Sequence, residues 1–226
     1  MTAARSDQPI WMRPERAAVG RPAQRSRAEI TAVAVAIADA ECLEALSMRR
    51  VASALGTGAA SLYRYVETRE DLLDLMADST GAEQSFAPPS GDWLADLLAI
   101  GEQSRAIMRR HPWLAGLIMT RPTLGPHGVL LIEHVLEVLA DHPADASAKL
   151  EAFAMLTSIT AAFVQHEVAG GQDVQQRTTA YLIHAVTSGA HPRLAELLGE
   201  GTPPPADPAD RYSDILRKVL AGLLGP

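Results

Sequence analysis

Arginine and tyrosine side chains crowd one short region of this chain. Arg49 lies in "SMRRVASAL", and Tyr63, Arg64 and Tyr65 lie in "LYRYV", with "GTGA" between the two stretches. An arginine fork matches the two acceptors on a guanine edge, and small residues such as Ala59 and Ala60 suit thymine methyl groups. The phenol of Tyr63 or Tyr65 can donate to a phosphate while its ring packs on protein. That is the chemistry of reading a nucleic acid, and the enzyme motifs in the chain are incomplete by comparison. Gly56-x-Gly58-x-x-Ser61 mimics part of a dinucleotide fingerprint, but it follows a helical pattern and lacks the last glycine. His166-Glu167 opens a zinc-protease HExxH, yet Gly170 takes the place of the second histidine. No G-x-S-x-G elbow occurs. His127 and His134, seven residues apart, fit two hydrogen-bonded histidines better than a metal pair. Neither a cofactor nor a metal is expected.

The elements that must position these residues read as all-α. Ala and Leu dominate the apolar residues, strand punctuation such as Asn-Gly is missing, and the runs between Pro and Gly are mostly of helical length. Ile30, Val33, Ala34, Ile37 and Ala38 form one stripe of a helix over 27–42. Ser47 can cap a second helix carrying Met48, Val51, Ala52 and Leu55, which Gly56 stops. A third helix, 59–65, turns Leu62 and Val66 inward and leaves Ala59, Ala60, Ser61, Arg64 and Tyr65 on outer faces. Thr68 and Asp71 have capping-box spacing at the start of a fourth, which carries Leu72, Leu75 and Met76. Beyond the break "SFAPPSGD" at 85–92, helices are predicted at 92–109, 112–120, 124–141, 145–169, 172–188, 191–198 and 209–224. Residues 1–24, with Pro9, Pro14, Gly20 and Pro22 among four arginines, read as a flexible basic arm.

The formal net charge of -7 hides an asymmetry. Residues 1–70 carry 10 Lys+Arg against 8 Asp+Glu, and residues 71–226 carry 10 against 19. A cation-presenting head on an acidic body fits this split, and so do solvated acidic faces. Cys42 is the single cysteine, so neither an internal disulfide nor a thiolate metal site can be built. The sequence shows no signal-peptide core and no 18-residue apolar run, so a cytoplasmic protein without a membrane partner is expected.

Two short helices joined by a Gly-containing turn, with a third packed behind, fit a helix-turn-helix pattern, and by composition alone they fit an ordinary α-hairpin as well. The order Ser47-Met-Arg-Arg-Val-Ala52, Gly56, Leu62-Tyr63-x-Tyr65-Val66, Thr68-Arg69-Glu70-x-Leu72 resembles the N-terminal DNA-binding domain of the TetR family of transcriptional regulators. The resemblance is specific over about residues 28–76 and looser from 109 onward. It implies a flexible arm at 1–24, a helix-turn-helix domain at 25–75 and a larger helical domain at 76–226 for ligand binding and dimerisation. It also implies a homodimer on a palindromic operator in double-stranded DNA, most often repressing and responsive to a small-molecule effector. By that resemblance Arg49 reaches a base edge or phosphate, Ala59, Ala60, Ser61 and Arg64 occupy recognition-helix positions, and Tyr63, Tyr65 and Arg69 contact the backbone. Thr57 in the turn completes the expected DNA-binding set. Gly58 departs from the pattern, standing where many members have a serine-like helix cap.

The effector is expected to be largely apolar, held among Trp113, Met119, His134, Thr157, Thr160, Phe163, Gln165 and His166, a mix of apolar surface and a few polar groups. Packing explains many of these equally well. The dimer candidates are the helices at 145–169 and 209–224, the latter with a stripe of Leu216, Val219, Leu220 and Leu223 that could instead close the monomer's own core. Two rival functions remain: an enzyme using the C-terminal cavity, and a DNA binder without a ligand.

Overall fold

The computed structural model describes residues 8–15, 25–121, 124–169, 172–199 and 208–225, and over these the chain is helical, with eleven α-helices, three 3-10 turns and no strand. Helix α1 (Arg27–Glu41) is capped by the Ser26 hydroxyl, which accepts from the Glu29 amide, and α2 (Met48–Ala54) by Ser47, which accepts from Arg50. Helix α2 ends on Gly56 at φ 65°. There the Gly56 and Thr57 amides donate back to the Ser53 and Ala52 carbonyls, a paired stop that aims the chain into α3 (Ala59–Leu62). The sequence pattern extends α3 to residue 65. The structure closes it at Leu62, whose carbonyl accepts from both the Tyr65 and Val66 amides. Helix α4 (Arg69–Thr80) opens on the expected capping box, with Thr68 and Asp71 exchanging hydrogen bonds.

The larger part comprises α5 (Trp93–Arg110), α6 (Pro112–Thr120), α7 (Pro126–Val138), α8 (Ala146–Ala169), α9 (Gln172–Thr187), α10 (Pro192–Gly199) and α11 (Pro208–Leu224). By length and composition α8 could cross a membrane over Ala146–Val168, but it packs against α5, α6 and α11 as the centre of this bundle. Gly101 lets α11 approach α5 closely, since a Cβ there would lie 2.6 Å from the Tyr212 hydroxyl. That hydroxyl donates to Thr160 Oγ1 at 2.8 Å, and Thr160 in turn donates to the Leu156 carbonyl at 2.6 Å. Burial pushes the Tyr212 phenol up to about 12, which keeps it a donor. The Arg105 guanidinium, 1% exposed, stacks 4.6 Å over the Tyr212 ring and donates to Glu167 at 2.6 Å.

Two apolar cores result. One runs from α1–α4 into Met108, Trp113, Leu114, Ala161 and Val164, so the head and the body share it. The other joins α5, α7, α8 and α11 around Leu97, Leu139, Leu156, Leu216 and Leu220.

Two expectations change. Leu216 and Leu220 are fully buried, so the stripe on α11 closes the monomer's own core, and only Leu223 at its edge is more than one-third exposed. Residues 8–15 are not a free arm. Ile10 is 1% exposed, Arg13 pairs with Asp71 and with Glu67, and the Arg27 guanidinium gathers the carbonyls of Ile10 (3.1 Å), Arg13 (2.8 Å) and Tyr65 (2.9 Å). A buried apolar side chain and backbone carbonyls satisfied by a charged donor hold this strap where composition alone suggested disorder. The rest of the predicted arm lies outside the described residues. Leu220→Ala is expected to cost about 2–5 kcal/mol of global stability, read as a lower denaturant midpoint. A variant of unchanged stability that becomes monomeric would return α11's stripe to an interface role.

Candidate operator interface and ligand cavity

The head presents its reading residues on a very short support. Helix α3 spans about 6 Å, held from below by Leu62 and Val66, both fully buried. Arg49, Ala60, Tyr63 and Arg64 are exposed, and Thr57, Ala59 and Ser61 are half-buried around the same turn. Arg64 Nη2 donates to Ser61 Oγ at 3.1 Å, which pre-sets its direction across α3. Two members of the expected set are placed differently. Tyr65 is only 7% exposed and packs in the shared core, so its ring serves as an anchor. Arg69 is exposed, but it donates to the Leu46 and Leu43 carbonyls at 3.4 and 3.2 Å, bracing the turn before α2. Gly58 provides no side-chain cap for α3.

At the opposite end of α4, a cavity of about 490 Å³ opens between head and body. Its walls come from α4 (Ala77, Asp78, Thr80), α5 (Ile107, Met108), α6 (Leu114, Ile118, Met119), α7 (His127, Leu131) and α8 (Phe153, Thr157, Ser158), with Gln84 from the linker. The lining is mostly apolar with a few polar groups, the make-up of a small-molecule site. Of the eight residues expected to line a pocket, Met119 and Thr157 do so. The other six lie elsewhere. Trp113 is buried and donates its indole N–H to Asp39 at 2.6 Å. Thr160 is fully buried under Tyr212. Phe163 packs edge-on against the Tyr212 ring at 5.4 Å. His134 lies 5.0 Å from the Phe86 ring at a tilt of 56° and faces Glu137. Gln165 and His166 are exposed on α8. A helix of 24 residues shows several faces, and only the face bearing Phe153 and Thr157 meets the cavity.

The sequence reading missed the residue that joins the cavity to the head. Asp78 on α4 accepts from the His127 and Gly128 amides at 3.0 and 3.2 Å, and His127 Nδ1 lies 3.0 Å from its other oxygen. Helix α7 has Gly125 at its N-cap position and so no side-chain cap of its own, and a carboxylate from another helix supplies it, at the end where the helix dipole favours negative charge. A Cβ on Gly125 would collide with that carboxylate. Asp78, Thr80 and His127 also line a shallower groove of about 570 Å³ on the far side of α4, walled by Trp11, Arg27 and Thr31. Among the described residues no three His, Cys, Asp or Glu side chains could hold a metal, and His127 and His134 each face a carboxylate.

Comparison with known proteins places this geometry. Residues 30–76 match the family model described as bacterial regulatory proteins of the tetR family, and residues 84–225 match the tetracyclin repressor-like C-terminal domain. The chain belongs to the TetR family. It is 32% identical to the HTH-type transcriptional repressor DrrR1 of Streptomyces coeruleorubidus, over 97% of this chain and 85% of that protein. Among solved structures it is similar to ActR of Streptomyces coelicolor in complex with (S)-DNPA, at 30% identity and a TM-score of 0.77, covering 88% of this chain and 97% of the other. The ActR complex with actinorhodin is similar at 29% identity and a TM-score of 0.76, with the same coverage of each chain. The protein is thus a DNA-binding transcriptional regulator with an N-terminal helix-turn-helix domain and a C-terminal domain of ligand-responsive type.

In this TetR-family head the uncapped α3 gives a direct test. Gly58 has φ -82° and ψ 144°, and a Cβ there meets nothing within 4 Å. Gly58→Ser is expected to add a cap worth about 0.4 kcal/mol and to slow exchange of the α3 amides roughly twofold. Unchanged exchange by NMR would mean that packing alone fixes this helix.

Proposed function

We propose that the protein is a cytoplasmic, homodimeric repressor that leaves its palindromic operator when a small, largely apolar molecule fills the cavity between α4 and α8, and that it is not an enzyme. The observation that carries this reading is the composition of the cavity wall. The helix that closes the reading head, α4, also supplies Ala77, Asp78 and Thr80 to the cavity. A molecule that prefers a wider cavity therefore shifts α4, and with it the recognition turn, by its differential affinity for the two arrangements. The polar groups on the wall are dispersed and include no nucleophile paired with a base, which favours binding over turnover.

A second copy suits both DNA and surface. One recognition turn covers too few base pairs for a specific site, and a twofold dimer reads two half-sites. Leu150 and Met155 on α8 are 47% and 39% exposed, and Tyr181, Ile183 and Leu197 on α9 and α10 are 69%, 58% and 66% exposed. Apolar side chains at this density ask for a partner surface. The dimer is therefore assigned to the outer faces of α8, α9 and α10, with Leu223 at the edge of α11.

Genomic fragments selected by the purified protein supply an operator. On it, Arg64→Ala is expected to cost about 1–3 kcal/mol and relax one base position, whereas Tyr63→Phe weakens all sequences alike. Equal losses on operator and random DNA for Arg64→Ala would remove that arginine from base reading. For the cavity, actinorhodin and (S)-DNPA, which ActR holds, are the first probes. Thr157→Trp, which fills the cavity, is expected to abolish release of DNA by any molecule that releases the parent protein, with operator affinity retained. Release unchanged in that variant places the ligand elsewhere.

A further inference from the structure

A second polar junction ties head to body, and its chemistry differs from that of Asp78. His111 sits in the short link between α5 and α6 and is 8% exposed. Its Nδ1 lies 2.8 and 3.0 Å from the two oxygens of Asp39 on α1, and its Nε2 lies 2.8 Å from Glu83 Oε1 in the 3-10 turn Gly81–Glu83 that follows α4. Ionised carboxylates only accept hydrogen bonds, so both ring nitrogens must carry protons for both contacts to hold. The ring is an imidazolium spanning three segments that are far apart in sequence.

The surroundings sharpen this. The Trp113 indole of α6 donates to the same Asp39 at 2.6 Å, and Arg110 of α5 holds Glu83 through two nitrogens, Nε at 2.9 Å. Asp39, Glu83, Arg110 and the imidazolium form an electrically neutral set. Removing the ring proton leaves it net negative, with a nitrogen lone pair aimed at one of the two carboxylates. Arg110 satisfies Glu83 without the histidine, whereas Asp39 has the imidazolium and the Trp113 indole N–H.

We propose that His111 is a proton-operated latch between the DNA-binding head and the body, closed while the imidazole carries both protons and opened when one leaves. Its role is to couple the position of the head to the body, and the proposal rests on the reading of the chain as a dimeric regulator. Burial lowers the pKa of His111, but hydrogen bonds and charge from Asp39 and Glu83 together outweigh it and hold the imidazolium above its ordinary range. The His111 hydrogen bond, followed by Arg110, holds Glu83 below the usual carboxylate range. A raised histidine contributes stability that is complete below the unfolded value of about 6.5 and lost as pH rises through the folded value. A lowered glutamate contributes stability that is lost as pH falls through its folded value. The latch is therefore closed below the ordinary imidazole range and opens as pH rises through the raised folded value of His111.

The single cysteine, Cys42, is exposed on the head, so one nitroxide per chain reports the head-to-head distance in the full-length dimer. The proposal expects a narrow distance distribution at about pH 6, below the unfolded imidazole value, that broadens as pH rises, a broad distribution at every pH in His111→Gln, and loss of the pH dependence in Asp39→Asn. In parallel, the Trp113 indole N–H resonance, assigned through Trp113→Phe, should titrate with a midpoint above the ordinary imidazole range and become pH-independent in His111→Gln. Absence of any dipolar signal would refute the dimer, leaving the indole titration to decide the latch. An indole resonance that does not titrate, or a pH-independent head-to-head distance in a dimer, overturns it.

Discussion

A helix of four residues cannot persist in water by itself, because nucleation costs more than one turn of hydrogen bonds returns. Helix α3 is of that length and lacks a side-chain cap, so the geometry that reads DNA is borrowed from whatever it packs against. Leu62, Tyr65 and Val66 anchor it in a core that continues through Leu72 and Met76 of α4 into Trp113 and Leu114 of α6 and Val164 of α8. The head is therefore not an independent reader carried on a body. Its recognition turn and the wall of the cavity are two ends of one packed unit, and close-packed interiors shift between discrete arrangements more readily than they deform.

Polar contacts give that unit its handles. Arg27 draws the N-terminal strap and the end of the recognition turn together through their carbonyls. Asp78 reaches from α4 to cap α7, and His111 reaches from the body to Asp39 on α1. Each spans a boundary that apolar packing alone would leave able to slide. Apolar contacts set the strength of the junction, and these directional bonds set its register.

Much of this was legible in the sequence, for a physical reason. Helices that bury one face write a 3.6-residue period, and caps write themselves in Ser47 and Thr68. The bounds of α1, α5, α6 and α8 accordingly fall within a residue or two of the pattern. Side chains that meet across the fold leave no such trace. Asp39 and His111 are 72 positions apart and Asp78 and His127 are 49 apart, and nothing in their neighbours distinguishes them from solvated polar residues. The same limit explains why Thr160 and Trp113 read as pocket residues and turn out to be spoken for by Tyr212 and Asp39. The Ile10 strap was hidden by its setting among prolines and arginines, where one buried isoleucine carries no period.

The dependence of the recognition turn on the shared core is tested most directly by native-state hydrogen exchange of the Tyr65 and Val66 amides, which bond to the Leu62 carbonyl. Leu114→Ala removes a body side chain from the core shared with the head, and Leu98→Ala removes one from the second core. Faster exchange of both amides in Leu114→Ala, with little change in Leu98→Ala, is the expected result. Equal exchange in the two variants and the parent protein would show that the head holds its reading geometry without the body.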